Sequence, residues 1–142
     1  MRTLSADLPL QKALGDRIIG AIAGAGFSAP VTTRPEQGIA WPYVLIGEST
    51  EDGTARTKSE AGTEILTTVR VYSHNVAEAK AIRAAIVAAV TDEEDQIKLE
   101  PPFVVALTIY ESSPVIAIHT EMGSHYQAAA AFRFHIAQQH EV

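Results

Sequence analysis

Residues 63–90 read TEILTTVRVYSHNVAEAKAIRAAIVAAV and change their hydrophobic period midway. Residues 63–72 alternate between two faces and are rich in β-branched side chains, which is typical of a strand. Further along, Ile82, Ile86 and Val90 recur every four positions and predict an amphipathic helix. Asn75 and Glu78 stand three residues apart before it, as in a helix N-terminal cap. The stretch therefore predicts a strand followed directly by a helix.

Further elements are predicted on both sides of this stretch. A first helix is predicted from about Leu8 to Ala25, because four apolar residues recur there at four-residue spacing: Leu10, Leu14, Ile18 and Ile22. The apolar run 42–47 (PYVLIG) predicts a buried strand. Another strand is predicted at 103–110, and residues 115–119 continue it after a break at 112–114. Residues 126–136 alternate and predict the last strand.

The last strand also predicts which side chains face the core. Phe132 and Phe134 share one face and are predicted to be buried, whereas Arg133 and His135 share the other and are predicted to be accessible. We therefore expect Arg133→Ala to change stability by no more than about 0.5 kcal/mol if no partner pairs with the guanidinium group.

The order of these elements predicts the fold class. It is α-β-β-α-β-β, and hairpins are the natural way to join each pair of strands. We predict an α+β fold with a four-stranded sheet, antiparallel or mixed, and two helices packed on one face. Residues 1–142 are predicted to form a single domain, because no composition shift marks a second one. Residues 51–62 lack periodicity and predict a flexible loop.

Composition excludes several classes of function. The chain has 142 residues, of which 46% are hydrophobic, and a formal net charge of −6 with no basic run. This charge pattern argues against binding to nucleic acid or to anionic membranes. The absence of cysteine excludes disulfides, thiolate zinc sites and cysteine nucleophiles. No secretory signal and no apolar stretch of about 20 residues is present, so no membrane association is predicted.

Motifs for catalysis are weak throughout. There is no Walker loop and no Gly-x-Ser-x-Gly elbow. Convergence of His119, Glu121 and His125 on zinc is one interpretation, but ordinary strand-end histidines are favoured. The acidic run 92–95 is better explained as a solvated surface than as a cation site. The carboxylates Glu48, Glu51 and Asp52 are only a weak candidate for acid–base chemistry. Trp41 is better explained by packing than as a binding platform. No catalytic residue, cofactor or metal ligand is predicted, and the protein is not expected to be an enzyme.

Several short packing patterns follow one another along the chain at characteristic spacings. They are 10–13 (LQKA), 42–47 (PYVLIG), 71–73 (VYS), 78–82 (EAKAI), Gly123, His125-Tyr126 and 132–134 (FRF). By the order and spacing of these segments, residues from about 10 to 134 resemble the tail-completion, or tail-terminator, family of tailed bacteriophages and phage-derived gene transfer agents.

The resemblance implies a structural role in a virion or phage-like particle, with assembly in the bacterial cytoplasm. The resemblance also implies that the protein forms a homo-hexameric ring at the head-proximal end of the tail tube. The ring halts tube polymerisation and presents a surface for head joining. The implied partners are copies of the same chain, the tail tube protein and the head–tail connector protein. DNA only passes through the channel, and the family implies no catalytic residue, cofactor or membrane.

Three alternatives stay open at this point. One is a neck or head–tail connector protein of the same particle, since ring proteins of that region share small α+β designs. Another is a small-ligand-binding enzyme on an α+β scaffold, which would need convergent polar groups in a pocket. A cellular protein with similar patterning is the third, because fold does not determine function.

Two regions are predicted to make contacts during assembly. The loop 51–62 is long for a hairpin and carries charges of both signs, which suits a polar contact with a neighbouring protein. Its charged residues are Glu51, Asp52, Arg56, Lys58 and Glu60. The second predicted helix is apolar on more than one side. Its second apolar side, predicted to be covered by the first helix or by a neighbouring subunit, consists of Ala84, Val87 and Ala88.

Overall fold

Two helices and five strands make up the structure, a computed structural model that describes residues 6–34, 41–52, 61–120 and 123–138. In chain order the elements are α1 (Asp7–Gly24), β1 (Val31–Thr32), β2 (Tyr43–Asp52), β3 (Ala61–Ser73), α2 (Val76–Val90), β4 (Phe103–Thr120) and β5 (Gly123–Gln138).

The strands form one mixed sheet in the order β1-β2-β3-β5-β4. β1 is parallel to β2, and each remaining pair of neighbours is antiparallel. The α+β class is as predicted, but the predicted four-stranded sheet and the order α-β-β-α-β-β are wrong, because both lack β1. This strand has two residues, Val31 and Thr32, which pair with Val44 and Leu45. Two residues are too few to show an alternating pattern, so only tertiary pairing reveals the strand.

Both helices cover the same face of the sheet, which we call the inner face. α1 contacts β1 and β2, α2 contacts β3, β4 and β5, and the helices contact each other. Ile82, Ile86 and Val90 are buried as predicted. Phe132 and Phe134 are fully buried, while Arg133 and His135 on the opposite face are partly accessible, so the predicted register of β5 is confirmed.

The turn from β3 into α2 is held by side-chain hydrogen bonds. The Asn75 side-chain oxygen accepts from the backbone N–H groups of Ala77 and Glu78, at 2.8 and 3.1 Å. The Ser73 hydroxyl donates to the Glu78 carboxylate at 2.7 Å and accepts from the Asn75 N–H at 3.0 Å. These bonds satisfy backbone donors that have no partner inside the helix, which confirms the predicted cap.

Strand residues occupy both ends of the segment 51–62 that was predicted to be a loop. Glu51 and Asp52 still belong to β2, where they pair with Ile65 and Glu64, and residues 61–62 already belong to β3. The bounds of the prediction are therefore wrong by two residues at each end. Strand pairing extends into this polar segment although its sequence shows no alternation. Arg56, Lys58 and Glu60 lie outside the described residues.

β4 also continues through the segment where the sequence predicts a break. The strand extends through Ser112, Ser113 and Pro114, and its register against β5 shifts between Ser112 and Val115. A second shift lies between Val105 and Leu107. Such irregularities bend a strand without ending it, so one long strand replaces the two predicted segments.

Candidate assembly interface

The face of the sheet opposite the helices, which we call the outer face, carries exposed apolar side chains along β4. Leu107, Ile109 and Ile116 pair across the sheet with His135, Arg133 and Gln127, whose side chains also lie on the outer face. Leu107 and Ile116 are 50% and 51% exposed. Val104 belongs to the same row. Exposed apolar side chains that cluster in this way make the row a candidate contact surface.

An ion network crosses the centre of the outer face. The guanidinium group of Arg133 on β5 contacts Glu64 on β3 at 2.7 Å and Glu111 on β4 at 3.1 Å. His135 lies 3.4 Å from the other carboxylate oxygen of Glu64. The network therefore links three neighbouring strands. Arg133→Ala was expected to be nearly neutral only if the guanidinium group had no partner. Arg133 has two carboxylate partners, so this condition is not met.

We now expect Arg133→Ala to lower the free energy of unfolding by about 1 kcal/mol, the upper end for exposed ion pairs. The loss should shrink in high salt, because the pairs are partly exposed to solvent. Chemical denaturation at low and high ionic strength measures both effects. Arg133→Lys is the matched control, because it keeps the positive charge but loses the planar guanidinium group. Its free energy of unfolding should lie between those of the wild type and of Arg133→Ala. A salt-independent loss would contradict an ionic origin.

An aromatic cluster occupies one corner of the outer face. Trp41 stacks on His74 with ring centroids 4.7 Å apart and meets His125 edge-on at 4.8 Å. Tyr43 and Tyr72 stack on each other at 4.7 Å, and both touch Trp41. Burial, and after it the neighbouring Tyr72, raises the pKa of Tyr43 above its ordinary value. Trp41 thus packs against other rings, but on the outer face and not in the core.

The exposed side of α1 borders an open groove of about 1330 Å³, which we call the α1 groove. Leu8 and Ile19 lie along it and are 74% and 54% exposed. Lys12 and Lys98 also line it. The sequence reading placed α1 correctly but did not single out Leu8 and Ile19, because both lie outside its four-residue apolar stripe.

The residues of the predicted helical interface are only partly open. Ala84 and Ala88 are exposed on α2, whereas Val87 is half-buried and packs against the core. The contact of this surface with a neighbouring subunit stays a prediction. Of the predicted loop residues, Glu51 is exposed at the end of β2.

The weak metal-site interpretations gain no geometric support. His119 Nδ1 lies 2.8 Å from the Ser124 hydroxyl, and His125 packs against Trp41. Glu121 lies outside the described residues. Within the described ranges, no three acidic or histidine side chains converge as metal ligands would. The acidic run after α2 instead makes contacts within the protein: the Asp92 carboxylate accepts from the Glu94 backbone N–H at 3.0 Å, and Asp95 pairs with Arg17 of α1 at 3.4 Å.

A known protein family matches most of this chain. The family model described as tail completion protein gp17 matches residues 9–115. The chain belongs to this family. The resemblance drawn from the sequence is thereby confirmed, and the two apolar surfaces become candidate contacts of a tail completion protein. No curated protein matches the chain closely enough to add a further relative.

Two of the solved structures that resemble this chain illustrate the fold. A chain from the virion of a native gene transfer agent (GTA) particle superposes with a TM-score of 0.71 at 19% identity, covering 95% of this chain and 99% of that one. The gp17 protein of bacteriophage SPP1 gives a TM-score of 0.56 at 22% identity, with coverage of 91% and 89%. None of the described helices of this tail completion protein is long and apolar enough to cross a membrane.

Proposed function

We propose that this tail completion protein is a tail terminator. Six copies form a ring at the head-proximal end of the tail tube, stop its polymerisation and provide the surface to which the head joins. The row of exposed apolar side chains on the outer face of β4 carries the proposal, because a chain of this family that worked alone would have no use for it. Its role is structural and involves no catalysis.

The proposal assigns three kinds of partner. Neighbouring copies complete the ring, the tail tube protein lies on one side, and the head–tail connector protein lies on the other. DNA only passes through the central channel. The net charge of −6 per chain suits a channel that does not hold DNA, since like charges repel the phosphate backbone. The protein belongs in the finished particle and reaches it from the bacterial cytoplasm.

Deletion of the gene in a particle-producing bacterium tests this function. We expect tails of uncontrolled length that are not joined to heads, visible by negative-stain electron microscopy, and rescue by the wild-type gene. A connector protein would give a different result, namely tails of normal length that lack heads. Tails of normal length already joined to heads would refute both roles.

The connection between β2 and β3 is proposed to contact a neighbouring subunit, the tail tube or the connector. Because Asp52 and Ala61 belong to strands, the informative variant replaces only residues 53–60 with a short Gly-Ser turn. We expect the fold and melting temperature to be kept and the number of joined particles to fall sharply. The melting temperature is measured by circular dichroism, and joined particles are counted by electron microscopy.

A second variant separates charge from length in this connection. Substitution of Arg56, Lys58 and Glu60 by serine keeps the length and removes the charges. If charge pairing makes the contact, the serine variant should lose head joining as fully as the variant in which residues 53–60 are shortened. The reason is that its partner's charged groups would no longer find opposite charges on the connection. Wild-type numbers of joined particles from the shortened variant would rule out any role for the connection.

A further inference from the structure

Four arginines of the described chain are half-buried, and three of them have partners within the protein. Arg17, Arg83 and Arg133 each donate a hydrogen bond to a group of the same chain. Arg70 on β3 is the fourth, and among the described residues its guanidinium group has neither a hydrogen bond nor an ion pair. A guanidinium group carries five N–H donors in a planar fork. Those of Arg70 are therefore available to a partner.

The Arg70 guanidinium group lies in an open pocket of about 640 Å³ beside β2, which we call the Arg70 pocket. Gly47 makes room for it, because a Cβ added at Gly47 would lie only 2.8 Å from Arg70 Nη1. The lining also includes residues with uncharged hydroxyl or amide groups, namely Gln11, Thr33, Thr50 and Thr68. The pocket thus holds a cation among neutral polar side chains, a setting that suits a small anionic group.

The acids near Arg70 limit which anion fits. Among the described lining residues one acid, Asp7 of α1, shares the pocket, but it forms no ion pair with Arg70. The side chain of Glu48, next to Gly47 in the sequence, lies outside the described residues. A DNA backbone would need several cations and would meet Asp7 as well. A single carboxylate fits one guanidinium group through two parallel hydrogen bonds.

Charge balance favours a second copy of this chain as the source of that carboxylate. The chain has 17 acidic and 11 basic residues, so each copy has acids that its own cations cannot pair. Copies of like net charge repel each other when they meet, unless cations at the contact face acids of the neighbour. Arg70 is a cation that no acid among the described residues of its own chain pairs with.

We propose that the Arg70 pocket of one copy binds an aspartate or glutamate side chain of the neighbouring copy in the particle. This inference rests on the proposed ring function, in which copies are neighbours, and names one polar contact between them. The pair is partly shielded from solvent by the pocket. It therefore stabilises the contact more than a fully exposed ion pair would.

Zero-length cross-linking in purified particles tests the contact. Arg70→Lys introduces an amine into the Arg70 pocket, and a carbodiimide joins an amine to a carboxylate that touches it. We expect a linked pair at twice the 15.2 kDa mass of the chain, in which mass spectrometry of the peptides finds the link at position 70. Arg34→Lys is the matched control, because Arg34 is exposed and lies outside the pocket, and it should give no link from position 34.

The outcomes distinguish this inference from the function on which it rests. A link from position 70 to an acid of the same chain, such as Asp7 or Glu48, would overturn the contact between copies. A link to a different protein of the particle, or no link at all, would overturn it too. Each of these results leaves the terminator role standing, since gene deletion and tail length test that role separately. Absence of the protein from wild-type particles would remove the role and the contact together.

Removal of the charge gives an independent measurement. Arg70→Gln should keep the melting temperature within about 2 °C, because the guanidinium group has no partner in the described chain. The variant should nevertheless enter particles about tenfold less than the wild type. Circular dichroism and quantitative immunoblots of purified particles supply the two comparisons. Arg34→Gln makes the same change in charge and should enter normally. Normal incorporation of Arg70→Gln would contradict the contact, and a large fall in its melting temperature would show that Arg70 serves its own chain instead.

Discussion

Phe134→Ala is expected to lower the free energy of unfolding by about 3–5 kcal/mol. The ring is fully buried on the inner face of β5, with its centroid 6.1 Å from that of Phe132. Its backbone lies between Ile65 of β3 and Thr108 of β4. Truncation removes the ring's apolar contacts and leaves a cavity that the flanking strands cannot easily close. Urea denaturation, with the m-value checked for constancy, measures the change.

Gln127→Ala is the matched control for this substitution. It lies on the same strand but on the outer face, half-buried, and should change stability by no more than about 0.5 kcal/mol. The contrast depends on the register of β5, because a shift of one residue exchanges the two faces. Equal losses from the two variants would show that the register is wrong.

Ile86→Ala should cost about 2–5 kcal/mol, the second-largest effect. Ile86 lies in the middle of α2, is fully buried, and belongs to the stripe that packs on the sheet. Because α2 contacts three strands as well as α1, the lost contacts affect both layers of the fold. Thermal and urea unfolding of the purified variant should agree on the loss. The smaller change Ile86→Val should cost about 0.5–1.5 kcal/mol.

A control on the same helix separates core packing from helix propensity. Ala81 is exposed on α2, so Ala81→Ser removes no core contact and should cost about 0.5 kcal/mol or less. If Ala81→Ser were as harmful as Ile86→Ala, the marginal stability of the helix itself, and not its buried stripe, would limit the fold.

Local patterns in the sequence predicted most of the elements and much of the core. The four-residue stripe of α1, the stripe of α2 and its Asn75 cap are all found in the structure. The alternation of β5 predicted correctly that Phe132 and Phe134 are buried. These features depend on residues a few positions apart, and helix and strand periods express them directly. The order of the same segments predicted the tail completion family, which the family match to residues 9–115 confirmed.

The candidate surfaces depend on pairing between segments that are distant in the sequence. Arg133 and Glu64 are 69 positions apart, and only the alignment of β5 with β3 brings them within 2.7 Å. The Trp41 cluster likewise needs β2, β3 and β5 side by side. No local period encodes such neighbours, so the ion network and the position of Trp41 on the outer face could not be predicted.

The sequence by itself determined the two helices, the main strands, the buried side of β5 and the family. The tertiary structure alone decided the short parallel strand β1, the extension of β2 to Asp52, and the placement of apolar groups at opposite edges of the domain. The physical reason is the range of the interactions. Burial of an amphipathic face is specified by spacing along the chain, whereas strand order and register come from backbone hydrogen bonds and packing between remote segments.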